Sequence, residues 1–506
     1  MGTRDRIIRY AGLVGALLLA VAGYLGGALP TTPDGGPLTI ALWLLGTTAM
    51  VGAWWALRTG APSTRWGYAT TGLWTLPLLV TAPLGSRDVY SYVCQGWTYA
   101  EGGDPYVVGV AEAGCPWVET VAPVWRDTPA PYGPFFVLLA ALAVLLGGGL
   151  VGTVVLLRLL AFAGVLAAAA CLPGLARAAG VPPRRATWLL LACPLVGVHL
   201  VAGAHNDALM LGLLLPALLV LVRRPDRPGS LWSAGVLLVA GVLLGLAVSV
   251  KATAVVVLPF AALAAAGGRP VVRSLLRGGG LLAVGAVGGV LTLSLVAGLG
   301  FGWIDGLGRS GDTVQWTSPP TAVGMLVDYA GELFGRRLNA VPLTRLAGLA
   351  VLATVLPLLW YGTWRLLRQP RTFLPRPLAP PDAAPRAVGL IMRLVAVVDA
   401  HRDADLIDAW RVWRCRVVLG GAGVALAATV ALAPVFHPWY ATWPLAVLAV
   451  TATRTAWFVL PCALAAFLAL PDGTNLARLT KAPGAVAMTV LLAAIIWSFC
   501  RRNRSP

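Results

Sequence analysis

Charge is scarce in this chain. Only 11% of its 506 residues are Asp, Glu, Lys or Arg, against about a quarter in soluble domains. With 58% hydrophobic residues, a water-soluble globule is excluded. Lysine is nearly absent, Lys251 and Lys481 being the only two, so the basic side chains are arginines almost throughout. The seven cysteines include no C-x-x-C pair and no metal-ligand spacing, where zinc wants about four ligands, or three and a water. Nor does the sequence repeat itself in the way that marks the two halves of many transporters.

Long apolar runs fill the chain instead. About 20 apolar residues span a bilayer once, so the runs predict an all-α polytopic membrane protein of about fourteen or fifteen helices, with residues 1–506 as one integral membrane unit. A net charge of +18 would point to nucleic acid in a soluble protein. Here the basic residues gather between the apolar runs, where they report topology and imply no nucleic acid partner. Arg4, Arg6 and Arg9 precede a first run at about 11–29, which the positive-inside rule starts in the cytoplasm. Runs at about 38–57 and 67–84 complete three crossings and leave the segment at about 85–133 outside. Its charges agree: Asp88, Glu101, Asp104, Glu112, Glu119 and Asp127 against Arg87 and Arg126. Its prolines and aromatic rings suit an ordered loop on the membrane interface. Cys94 and Cys115 share this loop, as a disulfide or as two free thiols. Cys171, Cys193, Cys462 and Cys500 lie in apolar runs, where thiols pack as small hydrophobes.

Residues 134–176 hold either two crossings split at Gly147 to Gly149, or one crossing and a partial helix. Arg184 and Arg185, then His205 to Asp207, then Arg223, Arg224 and Arg227 favour one net crossing there. Helices at about 231–249, 252–267 and 279–300 lead to a second outer segment at about 301–342, with Asp305, Asp312 and Trp316. After a helix at about 346–364 comes a Pro- and Arg-rich cytoplasmic linker to about 411, read as partly disordered. Helices near 413–434, 440–453, 455–470 and 483–499 end the chain, with Arg501, Arg502 and Arg504 inside.

Polar residues collect at the outer ends of these runs. In Ser86-Arg87-Asp88-Val89-Tyr90-Ser91-Tyr92, Asp88 lies at the membrane surface, a place suited to a lipid-borne substrate. Its carboxylate fits a general base for a sugar hydroxyl, and Arg87 a bidentate phosphate ligand. The plainer reading is a helix cap with a neighbouring ion pair. Gly102-Gly103-Asp104-Pro105-Tyr106 is a turn, and Tyr132-Gly133-Pro134 starts a helix with proline in its first turn. His205-Asn206-Asp207 reads equally as a cap or as the lining of a cavity. Lys251, interrupting an apolar run, is a phosphate ligand or a snorkelling side chain. His437-Pro438-Trp439-Tyr440, with Trp443, is an aromatic belt or a surface for a sugar or lipid head group.

Taken together, Ser86 to Tyr92, Gly103 to Tyr106, Thr128-Pro129-Ala130-Pro131-Tyr132-Gly133-Pro134, His205-Asn206-Asp207-Ala208-Leu209-Met210 and Pro438-Trp439-Tyr440 resemble the actinobacterial polyprenol-phosphomannose-dependent α-1,6-mannosyltransferases. The resemblance implies a GT-C glycosyltransferase fold in the plasma membrane, multi-pass, with its active site on the periplasmic side. It implies transfer of mannose from a polyprenyl-phosphate mannose donor to the 6-hydroxyl of a lipid-linked mannan acceptor such as lipomannan, among membrane lipids. Inversion gives an α-linkage, and because the lipid phosphate is the leaving group, no cofactor and no metal is implied. Asp88 matches the family's base. Many such enzymes carry two adjacent acidic residues there, whereas Val89 follows here, which leaves Asp104 or Asp207 to supply a second carboxylate. Arg87, Lys251, His205 and His437 fall to the donor phosphate. Tyr92, Asp104, Tyr106, Tyr132, Asn206, Asp207, Trp439 and Tyr440 fall to the substrates, with Trp117, Trp125 and Trp316 as further rings for a sugar. Two alternatives remain open: a GT-C enzyme for another polyprenyl-phosphate sugar, and a lipid-linked sugar transporter or flippase. The latter calls for a midplane charge relay and half-to-half repeats.

Overall fold

In hydrocarbon a backbone must satisfy its own hydrogen bonds, and an apolar chain does so as helices. The computed structural model describes residues 2–29, 35–224, 230–268, 270–309, 313–369, 388–452 and 454–502. Among them all regular structure is helical, apart from one isolated bridge between Ala469 and Asn475. The chain runs through α1 (Thr3–Gly26), α2 (Pro37–Ala56), α3 (Thr64–Val80), α4 (Asp88–Ala100), α5 (Pro134–Gly147), α6 (Leu150–Ala178) and α7 (Pro183–Leu191). It continues as α8 (Asp207–Arg223), α9 (Leu231–Val250), α10 (Leu258–Ala265), α11 (Val272–Ala297), α12 (Trp303–Arg309) and α13 (Pro319–Leu333). The last third is α14 (Ala340–Arg368), α15 (Val388–Leu432), α16 (Thr442–Leu448), α17 (Ala456–Ala465) and α18 (Lys481–Arg502).

Eight helices among the described residues are long and apolar enough to cross a membrane, or nine if α7 and the π-helical turn Val196–Ala202, bent by 62°, form one span. This is a multi-pass membrane protein. Fourteen or fifteen helices are expected from the apolar runs, and fewer pass as full spans because several runs fold as shorter helices. The run at 252–267 becomes a 3-10 turn, Ala252–Val257, followed by α10. The run at 440–453 becomes the turn Pro438–Ala441 and the seven residues of α16. Residues 134–176 form one crossing and a shorter helix. The 14 residues of α5 reach only about 21 Å at 1.5 Å per residue, whereas α6 has 29. Gly148 (φ 62°) and Gly149 (φ 150°) turn the chain between them.

Two loop expectations change. The outer segment at 85–133 opens with α4, whose Val89, Tyr92 and Val93 are fully buried. Gly96 lets α4 approach the α5 backbone at Ala140, where a Cβ would come within 2.5 Å. Cys94 on α4 is disulfide-bonded to Cys115, which ties the rest of the loop onto the helix. The linker expected to reach residue 411 is helical from Val388. Its middle, 370–387 with Arg371 and Arg376, lies outside the described residues, as do Arg227, Asp312 and Arg504.

Three devices place the segment that carries Asp88 and the start of α8 behind it. Arg158, buried in α6, donates to the carbonyls of Leu79, Thr81 and Ala202, so one guanidinium joins the end of α3 to the π-helical turn. Small residues bring α6 against the first turn of α8, a Cβ on Gly164 falling 2.4 Å from the Ala208 carbonyl. From the C-terminal third, the turn around Gly473 presses on Ser86 and Arg87, and Gly85 donates its N–H to the Pro471 carbonyl at 3.0 Å.

Candidate active site

Asp88 opens α4, and its N–H is taken by the Ser86 hydroxyl at 3.0 Å. Its side chain is 14% exposed. Burial pushes the carboxyl up to about 6, a rise that the Asp207 charge adds to while Lys251, Ser86 and Trp125 oppose it. The carboxylate therefore predominates above about pH 6, as a proton acceptor at neutral pH requires.

Two cavities meet at this carboxylate, and Asp88, Trp125, His437 and Trp439 line both. The first, about 330 Å³, is mostly apolar. Its walls include Pro129, Pro131, Tyr132, Leu307, Ala433, Pro434 and Val435, with Lys251, Tyr440 and Trp443 at its polar end. Leu349 of α14, 43% exposed, carries that wall to the outside of the bundle. The second, about 270 Å³, is the more polar of the two, with Arg87, Thr313, Gln315, Asp472, Thr474, Asn475 and Arg478 set among apolar residues such as Pro123, Val124 and Ala469.

Behind the first cavity lies a buried charge network. The Lys251 ammonium donates to both Asp207 oxygens at 2.8 Å, and the Trp443 indole N–H donates to Asp207 as well. Lys251 also sits 5.0 Å from the Tyr440 ring centre and 5.3 Å from that of Trp443. Asp207 is fully buried, so its charge is neutralised in place. His205 lies between the carboxylates, its Nδ1 3.7 Å from Asp88 and 4.0 Å from Asp207. Burial, with the neighbouring His199, Lys251 and His437, holds its pKa well below the usual range, so the ring is neutral. His437 is likewise held down at about 3 by burial and by Lys251, His199 and Arg478.

The structure sorts the residues singled out from the sequence. Asp88, Tyr132, Lys251, His437, Trp439 and Tyr440 line the first cavity, while Arg87 faces the second. The phosphate set expected from the sequence is thus divided. His205 is fully buried, neutral and lines neither cavity. Tyr92, whose hydroxyl is 3.4 Å from His205, and Asp207 also stand behind the cavity wall. Asn206 is buried there, its amide without a partner among the described residues. Asp104 does not reach the site: its Oδ1 accepts from the Tyr106 N–H at 2.8 Å in a local turn, and Tyr106 packs beside Gly302. Of the rings, Trp439 is stacked on His205 and His437, at 3.9 and 4.7 Å between centres, and Tyr440 on Trp443 at 4.2 Å. Trp316 donates to Thr480 away from both cavities, and Trp117 packs on the core. Sequence reasoning missed Gln315, Asp472, Asn475 and Arg478; the turn-rich Pro471-Asp472-Gly473-Thr474-Asn475 was the available signal.

Comparison with known proteins adds sequence kinship to this geometry. The family model for the α-(1→6)-mannopyranosyltransferase N-terminal domain matches residues 9–267, and that for the MptB C-terminal domain matches residues 386–500. Alpha-(1->6)-mannopyranosyltransferase B of Corynebacterium glutamicum is 30% identical over 98% of this chain and 82% of its own length. In Mycobacterium tuberculosis, alpha-(1->6)-mannopyranosyltransferase A is 34% identical over 60% of this chain, and alpha-(1->6)-mannopyranosyltransferase Rv1459c is 31% identical over 76%. The chain spans 58% and 66% of the lengths of these two. No solved structure matches it.

Proposed function

The chain belongs to the α-(1→6)-mannopyranosyltransferase family, and from that premise we propose that it transfers mannose from a polyprenyl-phosphate donor to the 6-hydroxyl of a mannan acceptor. The site faces the outer side of the plasma membrane and the fold is of the GT-C type. The observation that carries this reading is the position of Asp88, a carboxylate at the common wall of an apolar and a polar cavity.

The donor's first prenyl units and phosphate occupy the apolar cavity, whose Leu349 wall leads out between helices with exposed apolar faces. Lys251, at the polar end, faces the departing phosphate. Its attachment to Asp207 at 2.8 Å fixes the ammonium beforehand, so little reorganisation is left for the reaction. The acceptor oxygen attacks the anomeric carbon, the bond from that carbon to the phosphate oxygen breaks, and its electron pair leaves with the polyprenyl phosphate. The hydroxyl proton passes to Asp88. One displacement inverts a β-linked donor to an α-linked product of the lipomannan type.

The test is transfer from synthetic polyprenyl phosphomannose to a short α-1,6-mannoside by the full chain in nanodiscs, with linkage analysis of the product. Wild type is expected to form an α-1,6 bond and folded Asp88→Asn to form it about 10²–10⁴-fold more slowly. A folded wild type inactive with that donor and acceptor overturns the activity; equal rates in the two proteins remove Asp88 as the base.

A further inference from the structure

The second cavity is built more completely than a surface cleft needs. Gln315 and Asn475 are 1% and 8% exposed, yet both face it. Asn475 Nδ2 donates to Gln315 Oε1 at 2.7 Å, Gln315 Nε2 donates to Thr313 at 3.4 Å, and Asn475 Oδ1 accepts from the Ala477 N–H at 2.9 Å. Each amide NH2 carries two donors, so one on each remains. Buried polar groups left unmatched are costly, and a ligand rich in hydroxyls matches both donors and acceptors.

The charges at the rim narrow the ligand further. Arg87 and Arg478 form no ion pair among the described residues, which alone would fit a phosphate. But the carboxylates of Asp88 and Asp472 line the same space, and they repel an anion while accepting from hydroxyls. At about 270 Å³, the cavity is below the roughly 300–1,000 Å³ of sites that enclose a whole drug-sized ligand. It suits the end of a chain whose remainder lies outside, past the exposed Arg478.

We propose that this cavity is the acceptor subsite: Gln315, Asn475, Asp472 and Arg478 hold the terminal sugar of a neutral glycan and turn its hydroxyl toward Asp88. The assignment rests on the glycosyl-transfer reading above. It makes the C-terminal hairpin around Gly473 an acceptor-selecting element, and leaves the first cavity to the donor.

Two readouts test it. In transfer assays, Arg478→Ala and Gln315→Ala are expected to raise the KM for an α-1,6-mannoside about tenfold while the donor KM stays within about twofold. A raised donor KM with an unchanged acceptor KM overturns the assignment and gives this cavity to the donor phosphate. Independently of turnover, saturation-transfer NMR on α-1,6-mannobiose without donor is expected to detect binding to wild type and its loss in Arg478→Ala, an exposed position that the fold tolerates. Absence of binding to wild type, or binding equal in both variants, overturns the subsite even if transfer is intact. Binding without transfer would instead remove the transfer reading and keep the sugar site.

Discussion

The two cavities at Asp88 use charge in opposite ways. In the apolar one the single cation, Lys251, is already matched by the fully buried Asp207 at 2.8 Å and flanked by Tyr440 and Trp443. In the polar one Arg87 and Arg478 have no carboxylate partner among the described residues, and Gln315 and Asn475 bind each other. A mostly buried charge has to be neutralised before a substrate arrives. The exposed Arg478 needs no such partner. The contrast teaches that a cation's burial decides whether it is bound beforehand or left free for a ligand.

The largest effect is expected where the cavities join. Asp88→Asn keeps the side chain's size and removes the proton acceptor, so kcat should fall by about 10²–10⁴-fold with both substrates still bound. Retained kcat would mean that the shared wall is only a wall. A difference between the cavities should appear next in stability. Asp207→Asn strands a mostly buried ammonium, at a cost of about 3–5 kcal/mol. Arg478→Ala, on the surface, should stay within about 0.5 kcal/mol. Thermal unfolding in detergent compares them, and equal shifts would break the contrast.

The pH profile sharpens it. Because the Asp88 carboxyl is raised to about 6, the proton-accepting form is lost as pH falls through that value. The ratio kcat/KM should therefore drop about tenfold per unit below it. Lys251 lowers the Asp88 pKa, so Lys251→Met should move this limb to higher pH. Arg478 is not among the groups that act on Asp88, and Arg478→Ala should leave the limb in place. A limb that shifts equally in both variants would separate Asp88 from the first cavity.

How much of this was legible in the sequence follows from what each signal encodes. Apolar runs mark α2 and α9 to within a residue, Pro37–Ala56 against 38–57 and Leu231–Val250 against 231–249, whereas α1 starts eight residues before its run, at Thr3 against 11. They overcount where a run folds as a 3-10 turn and a short helix, as at Ala252–Ala265. Asp88, Lys251, Tyr132 and Trp439 stood out as polar or aromatic residues at helix ends, and all line the first cavity. Pairing was not legible: nothing in the sequence joins Lys251 to Asp207, 44 residues away. Nor does it bring Asn475 to Gln315 across 160 residues. Asp104 and Tyr106 shared a motif with the site and yet form a turn apart from it.

The smallest expected effect probes how the polar cavity reaches the base. Gly473 has φ 93°, and a Cβ there would lie 3.0 Å from Ser86 Cα and 3.3 Å from the Arg87 N. An alanine would be strained in its backbone, by about 1–2 kcal/mol, and would press on the segment that sets Asp88. Because that segment is held on its other side by Arg158 through Thr81, the hairpin is the softer partner and should give way first. Gly473→Ala should then weaken acceptor use several-fold and leave donor KM unchanged, measured against wild type at saturating donor. If donor KM rose instead, the displacement would have travelled through Asp88 into the apolar cavity, and the two cavities would be one site with two openings.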